Sequence, residues 1–111
     1  MEALVAVETL DDSNFNAALS APGLAVVDFY AGWCGPCRMF APKFKRLSDA
    51  YAGVRFYKLD GEKAPTARQS VKIDNLPFFA VYRDGVFVEG LSTSEEAGFR
   101  ALLDRHVGSG S

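Results

Sequence analysis

Cysteine, histidine and basic runs are scarce in this sequence, and each scarcity excludes something. The 111 residues hold two cysteines, Cys34 and Cys37, in one short segment. A pair so close together cannot staple distant parts of a small secreted fold. A closed zinc site takes about four ligands, and the only obvious candidates are Cys34, Cys37 and the single histidine, His106. Structural zinc is therefore not expected. Twelve Lys and Arg against fourteen Asp and Glu leave a net charge of −2 without a basic run, which argues against a nucleic-acid or anionic-membrane partner. The longest wholly apolar runs, residues 3–7 and 78–82, fall far short of the ~20 residues of a spanning helix. The first residues, Met1-Glu2-Ala3, lack the positive start and long apolar stretch of a signal peptide, so a cytoplasmic chain is expected.

What is present is globular. Apolar residues make up 49% and charged residues 23%, so one core is affordable at this length. Nine Phe among 13% aromatics predict a core built from rings. A single domain is expected over residues 1–107, with Gly108-Ser109-Gly110-Ser111 as a flexible, linker-like tail. Residues 3–9 suit a strand. Asp11-Asp12-Ser13 offers helix caps ahead of Phe15, Ala18 and Leu19, and Ala21-Pro22-Gly23 ends that helix. Residues 24–31 form a nearly continuous apolar run, the pattern of a strand buried on both faces. A long helix follows from Cys34 to about Tyr51, with Pro42 expected to kink or divide it. Residues 54–59 read as a strand and 64–71 as a short helix. Residues 78–83 and 86–89 read as strands joined by Asp84-Gly85, a strong hairpin signal. Overlapping capping boxes in residues 92–96 precede a last helix that buries Phe99, Leu102, Leu103 and Val107. The order β α β α β α β β α predicts an α/β fold, a central mixed sheet with helices on both faces.

The cysteines stand in Trp33-Cys34-Gly35-Pro36-Cys37, directly after the buried strand and at the opening of the long helix. A thiolate is the nucleophile of disulfide exchange, and a free cysteine with pKa ~8.5 is mostly protonated at neutral pH. Unpaired amides at a helix N-terminus favour the thiolate of Cys34. Two intervening residues let both sulfurs meet at disulfide distance. Gly35 leaves space beside the sulfur, and Pro36 suits an early helical position. Cys34 is expected at the mouth of the turn, with Cys37 one turn inward and shielded. An inert buried pair would sit oddly between Trp and Gly-Pro at a strand-to-helix junction, so redox chemistry is the better reading. Asp28 is a second anomaly, a carboxylate within an apolar strand where burial is costly. Alternation puts it on the face of Val26 and Tyr30. A strand-end carboxylate reaching water is the ordinary alternative.

The segment from Val26 to Pro42, Val-Val-Asp-Phe-Tyr-Ala-Gly-Trp-Cys-Gly-Pro-Cys-Arg-Met-Phe-Ala-Pro, closely resembles the active-site segment of thioredoxins. The likeness continues through Lys58-Leu59-Asp60, Leu76-Pro77, Asp84-Gly85 and Gly90 and so covers nearly the whole chain. The resemblance implies a thioredoxin fold and a protein-disulfide reductase that cycles between dithiol and disulfide. It implies that Cys34 attacks, that Cys37 resolves the mixed disulfide, and that Asp28 assists proton transfer at Cys37 with Lys58 as its partner. By itself Lys58 reads as a strand-edge solubiliser. A trans bond is the safe expectation for any X-Pro; the resemblance reverses it for Leu76-Pro77 and places this cis-proline against the cysteines. It leaves the Leu76 backbone free to pair with an extended substrate, and puts Trp33, Gly90 and Leu91 on a shallow apolar docking surface. No bound cofactor is implied. An external thioredoxin reductase would restore the dithiol, protein disulfides would be the substrates, and the chain would act as a monomer.

The departures concern partner choice. Tyr30 stands for the usual Trp, Gly32 for a polar residue, Asn75 for a small one and Phe78 for the usual Thr. Phe78 points either to the docking groove or into the core, since strand faces alternate. Two rival functions remain at this stage: an oxidase or isomerase of an exporting compartment, and a thioredoxin-like interaction or scaffold module of a larger assembly.

Overall fold

The structure, a computed structural model, describes residues 7–108. Among these the elements run β1 (Val7–Leu10), α1 (Phe15–Ser20), β2 (Leu24–Tyr30), α2 (Gly35–Ala50), β3 (Val54–Asp60), α3 (Pro65–Gln69), β4 (Phe78–Arg83), β5 (Val86–Ser92) and α4 (Glu96–Asp104). The strands form one sheet in the order β1-β3-β2-β4-β5. β1, β3 and β2 are parallel, while β4 pairs antiparallel with both β2 and β5. The expected mixed sheet is therefore present. Residues 3–6 of the anticipated first strand, and 109–111 of the tail, lie outside the described residues.

β2 is apolar on both faces because it has a helical layer on each. Ala25, Val27 and Phe29 pack with Phe15 and Leu19 of α1 and Ala67 of α3. Leu24 and Val26 pack with Phe40, Phe44 and Leu47 of α2 and with Phe99 and Leu102 of α4. The second layer is a cluster of rings centred on Phe79, whose centroid lies 5.1 Å from Phe40, 5.8 Å from Phe44 and 4.9 Å from Phe99. Offset and edge-on pairs at such distances add about 0.5–1.5 kcal/mol each beyond area burial. Phe40 and Phe44 flank Pro42 and face this one cluster, so α2 continues undivided through the proline.

Several helix boundaries differ from expectation because side chains find distant partners. Asp11 accepts from the Ser13 N–H and hydroxyl, closing a turn ahead of α1, and Asn14 takes the cap position with its Oδ1 turned back to accept from the Asp11 N–H at 2.8 Å rather than from an amide of the helix. Asp12 caps α3 instead, accepting from the N–H groups of Thr66 (3.2 Å) and Ala67 (2.8 Å). No capping box forms at α4. The Glu95 N–H donates to Thr93 Oγ1 at 3.0 Å, and the Glu96 carboxylate is taken by Arg46 and Arg100. β5 runs on to Ser92, and Val107, beyond the end of α4, is exposed rather than buried. Asp84 and Gly85 both have positive φ (53° and 84°), which gives the tight two-residue hairpin between β4 and β5.

Phe78 points into the core. It is only 6% exposed, its ring lies 6.3 Å from Phe29, and its tip fills the place where Gly90 lacks a Cβ. Phe78 and Gly90 are diagonal neighbours across the β4–β5 ladder, within reach of a long aromatic side chain. A Cβ on Gly90 would overlap that ring. Gly90→Ala should therefore cost about 1–3 kcal/mol by overpacking, and Phe78→Ala about 3–5 kcal/mol by leaving a cavity. In urea unfolding the two should couple strongly, with Gly90→Ala close to neutral once Phe78 is Ala. Simple additivity would contradict the contact.

Candidate active site

The buried strand delivers its chain end to the start of a helix. After Tyr30, residues 31–33 turn, and Cys34 takes the N-cap of α2 in an extended conformation (φ −85°, ψ 109°), its N–H bonded to Ala31 O at 3.1 Å. The first amides of a helix have no partner within it. Here the Cys37 N–H donates to Cys34 Sγ at 3.2 Å, so sulfur replaces the usual cap oxygen. Pro36 occupies the first turn, where its missing N–H costs nothing. Cys34 and Cys37 are joined as a disulfide with their Cα atoms 5.3 Å apart.

Exposure does not separate the two sulfurs: each cysteine is 4% exposed, against the expectation of an open Cys34 and a shielded Cys37. Packing of Ala31, Tyr30 and Leu76 around the pair covers both alike. The difference lies in their neighbours. Cys34 Sγ receives an amide at the positive end of the helix, which favours a thiolate there. Cys37 borders a cleft shared with Asp28, Tyr30, Arg38, Lys45 and Lys58. Gly35 is not making room inside the protein, since a Cβ there would meet nothing within 4 Å. It keeps the surface beside the sulfurs open.

Asp28 is 3% exposed, and its Oδ1 has no hydrogen-bond partner. Burial pushes its carboxyl up to about 7, with the positive charge of Lys58 acting in the opposite sense. β2 and β3 pair in parallel with Asp28 opposite Lys58, so the two side chains share one face. Lys58 is nonetheless exposed, and the two form no ion pair among the described residues. Lys58 thus tempers the acid without neutralising it. A carboxyl held near 7 and bordering the same cleft as Cys37 can accept or release a proton at neutral pH. The Tyr30 hydroxyl is also pushed up, by burial and by the charges of Asp60 and Asp28.

The Leu76-Pro77 bond is cis, Pro77 is buried, and Leu76 packs against the cluster of Ala31, Cys34 and Cys37. Trp33 is 67% exposed, which excludes simple core packing. Its Nε1 donates to Glu62 Oε2 at 2.6 Å. Glu62 went unnoticed in the sequence because 29 residues separate the pair. The parallel β2–β3 pairing brings them together, and the Gly61 N–H bonded to Tyr30 O at 2.8 Å ties the two strand ends. The Asp60-Gly61 turn signal after β3 was the available clue. Arg38, also unforeseen, donates to Gly32 O at 2.8 Å and braces the turn that carries Trp33. Gly90 and Leu91 have packing roles of their own: Gly90 admits Phe78, and Leu91 lies half-buried against the α2–α4 layer. Among the described residues no group of three or more His, Cys, Asp or Glu could hold a metal ion, and no helix is long and apolar enough to cross a membrane.

Comparison with known proteins agrees with this geometry. The thioredoxin family profile matches residues 6–105. The chain is 42% identical over 79 residues to thioredoxin Asp f 28 of Aspergillus fumigatus, covering 71% of this chain and 73% of that protein. Its fold is similar to that of Plasmodium falciparum thioredoxin, with a TM-score of 0.84 at 28% identity over 89% of this chain and 98% of the other. It is equally similar to a chain in the crystal structure of a complex of ferredoxin:thioredoxin reductase and thioredoxin f2, with a TM-score of 0.84 at 26% identity over 89% and 93%.

The elevated Asp28 carboxyl has a thermodynamic signature. Raised from an ordinary 3.8 to about 7, it binds its proton more tightly folded than unfolded. Its contribution to stability is whole below about pH 4, falls as pH rises from about 4 to 7, and is flat above. The stability of the wild type relative to Asp28→Asn should therefore decline across that window. At pH 8 the Asn variant should be the more stable, by on the order of a few kcal/mol. Urea unfolding of the disulfide form at several pH values checks this, and a pH-independent difference would contradict it.

Proposed function

Since this chain belongs to the thioredoxin family and is a thiol-disulfide oxidoreductase working through Cys34 and Cys37, we propose that Cys34 is its attacking sulfur, Cys37 its resolving sulfur and Asp28 the group that takes the Cys37 proton. The observation that carries the reading is the Cys37 N–H on Cys34 Sγ. One sulfur sits at the helix terminus, while the other borders the cleft of the buried acid.

In the dithiol form the Cys34 thiolate attacks one sulfur of a substrate disulfide. A Cys34–substrate disulfide forms, and the other substrate sulfur leaves as a thiolate that collects a proton. Cys37 then gives its proton to the Asp28 carboxylate and attacks Cys34 Sγ. The Cys34–substrate bond breaks, the second substrate thiolate leaves and is protonated, and the Cys34–Cys37 disulfide remains. Two electrons pass from the chain to the substrate. The redox group is the chain's own dithiol, and the present disulfide is the end state of one cycle. Lys58 tempers Asp28. Gly35 and Pro36 shape the turn, and the cis bond to Pro77 sets the place of Leu76, which packs against the pair.

Protein disulfides are the substrates in this reading, docked in extended form along the Leu76 backbone beside Pro77 and bordered by Trp33, Gly90 and Leu91. The exposed Trp33, held by Glu62, supports such a surface. An external thioredoxin reductase returns two electrons and two protons. Support comes from the thioredoxin f2 neighbour, whose solved complex is with ferredoxin:thioredoxin reductase. We place the protein as a monomer, and in a reducing compartment, the cytoplasm; the compartment is supported by cysteine usage, since both cysteines belong to the exchange motif and none to a structural staple.

Insulin reduction driven by dithiothreitol tests the assignment. Cys34→Ser should abolish turnover and trap no substrate, whereas Cys37→Ser should accumulate mixed disulfides. Asp28→Asn should slow release of the mixed disulfide by at least about tenfold at neutral pH, with little change in the first attack. Equal trapping by both Ser variants would overturn the order of the sulfurs.

A further inference from the structure

We propose that the Asn75 side chain is a latch on the substrate-docking segment, one that an extended substrate must displace and a small disulfide need not. The inference rests on the reading above, in which substrate backbone pairs with Leu76. Pro77 has no N–H, and Phe78 already belongs to β4. Of residues 76–78, Leu76 therefore offers the main-chain donor ahead of the strand, and its side chain packs on Ala31, Cys34 and Cys37. That donor is occupied: the Leu76 N–H donates to Asn75 Oδ1 at 3.0 Å. The amide oxygen is the only atom of that side chain able to accept.

The latch can open without moving the backbone. Ser92 Oγ lies 2.9 Å from Asn75 O and 3.1 Å from Asp74 Oδ1, so β5 holds the loop while the Asn75 side chain is exposed and free to rotate. A substrate carbonyl that pairs with Leu76 replaces Asn75 Oδ1, exchanging one neutral hydrogen bond for another and losing the gain that an open donor would have provided. A small disulfide that reaches the sulfurs without a main-chain contact meets no such competition. Asn75 is thus a specificity-determining residue acting on KM for extended substrates, with the exchange steps untouched.

The test compares the wild type with Asn75→Ala, Asn75→Leu and Asn75→Asp on insulin and on oxidised glutathione. Leu keeps the bulk without the acceptor, and Asp keeps an acceptor, now charged. Ala and Leu should both lower KM for insulin roughly three- to tenfold with kcat unchanged, the worth of one neutral hydrogen bond. Asp should leave KM at or above the wild-type value, and glutathione kinetics should not move. An unchanged KM in Ala and Leu, or a fall in Ala alone, would overturn the latch, the second outcome assigning the effect to bulk. Hydrogen exchange of the Leu76 amide, in the Asn75→Ala, Cys37→Ser double variant free and trapped with a cysteine peptide, separates this from the underlying reading, because the amide then has no internal acceptor to lose. An amide unaffected by the peptide would overturn the docking reading and the latch with it. An amide that responds, beside an unchanged KM, would overturn the latch alone.

Discussion

The double-sided burial of β2 is the constraint on which the site depends. A strand packed between two close-fitting layers cannot shift its register without sending every side chain to the opposite layer and misfitting both, so its C-terminal end is fixed in space. Tyr30 ends the strand, Cys34 begins the helix four residues later, and the ring cluster around Phe79 anchors α2 through Phe40, Phe44 and Leu47. The position of Cys34 at a helix N-terminus is thus a product of core packing. Its chemistry follows from there, because free amides and the helix dipole act on whatever occupies that terminus.

The same burial accounts for Asp28. Placed in the strand's interior, with one oxygen lacking a partner, it is destabilising when ionised, and the carboxyl responds by holding its proton to about pH 7. Lys58 stands opposite in the ladder yet reaches solvent, so the acid remains poised. A closer ion pair would lower the carboxyl toward its ordinary range and leave the cleft beside Cys37 without a carboxyl that titrates near neutral pH.

Away from the sulfurs, the molecular surface is organised by contacts between segments distant in sequence. Glu62 holds Trp33, Arg38 braces Gly32 and Ser92 steadies the Asp74-Asn75 loop. Phe78, which stands for the family's usual Thr, is accommodated by Gly90 and the Phe29 ring. The departure is therefore absorbed inside the fold, with the Phe78 side chain buried rather than on the surface.

Element order, the buried strand, the hairpin and the redox pair were legible in the sequence because each rests on local physics. A continuous apolar run, Asp84-Gly85 at positive φ, and two cysteines spaced by Gly-Pro at a strand-to-helix junction need no knowledge of distant residues. The cis state of Leu76-Pro77 was legible only through the resemblance, since an isolated X-Pro bond favours trans. Tertiary structure alone decided the rest. Asp12 caps a helix more than fifty residues away rather than its own, and Glu96 serves two arginines in place of a capping box. Phe78 turns to the core because Gly90 happens to lie diagonally across the ladder. Equal burial of Cys34 and Cys37 likewise comes from the packing of Tyr30 and Leu76. In each case a side chain had a plausible local role, and a partner distant in sequence and close in space offered a better one.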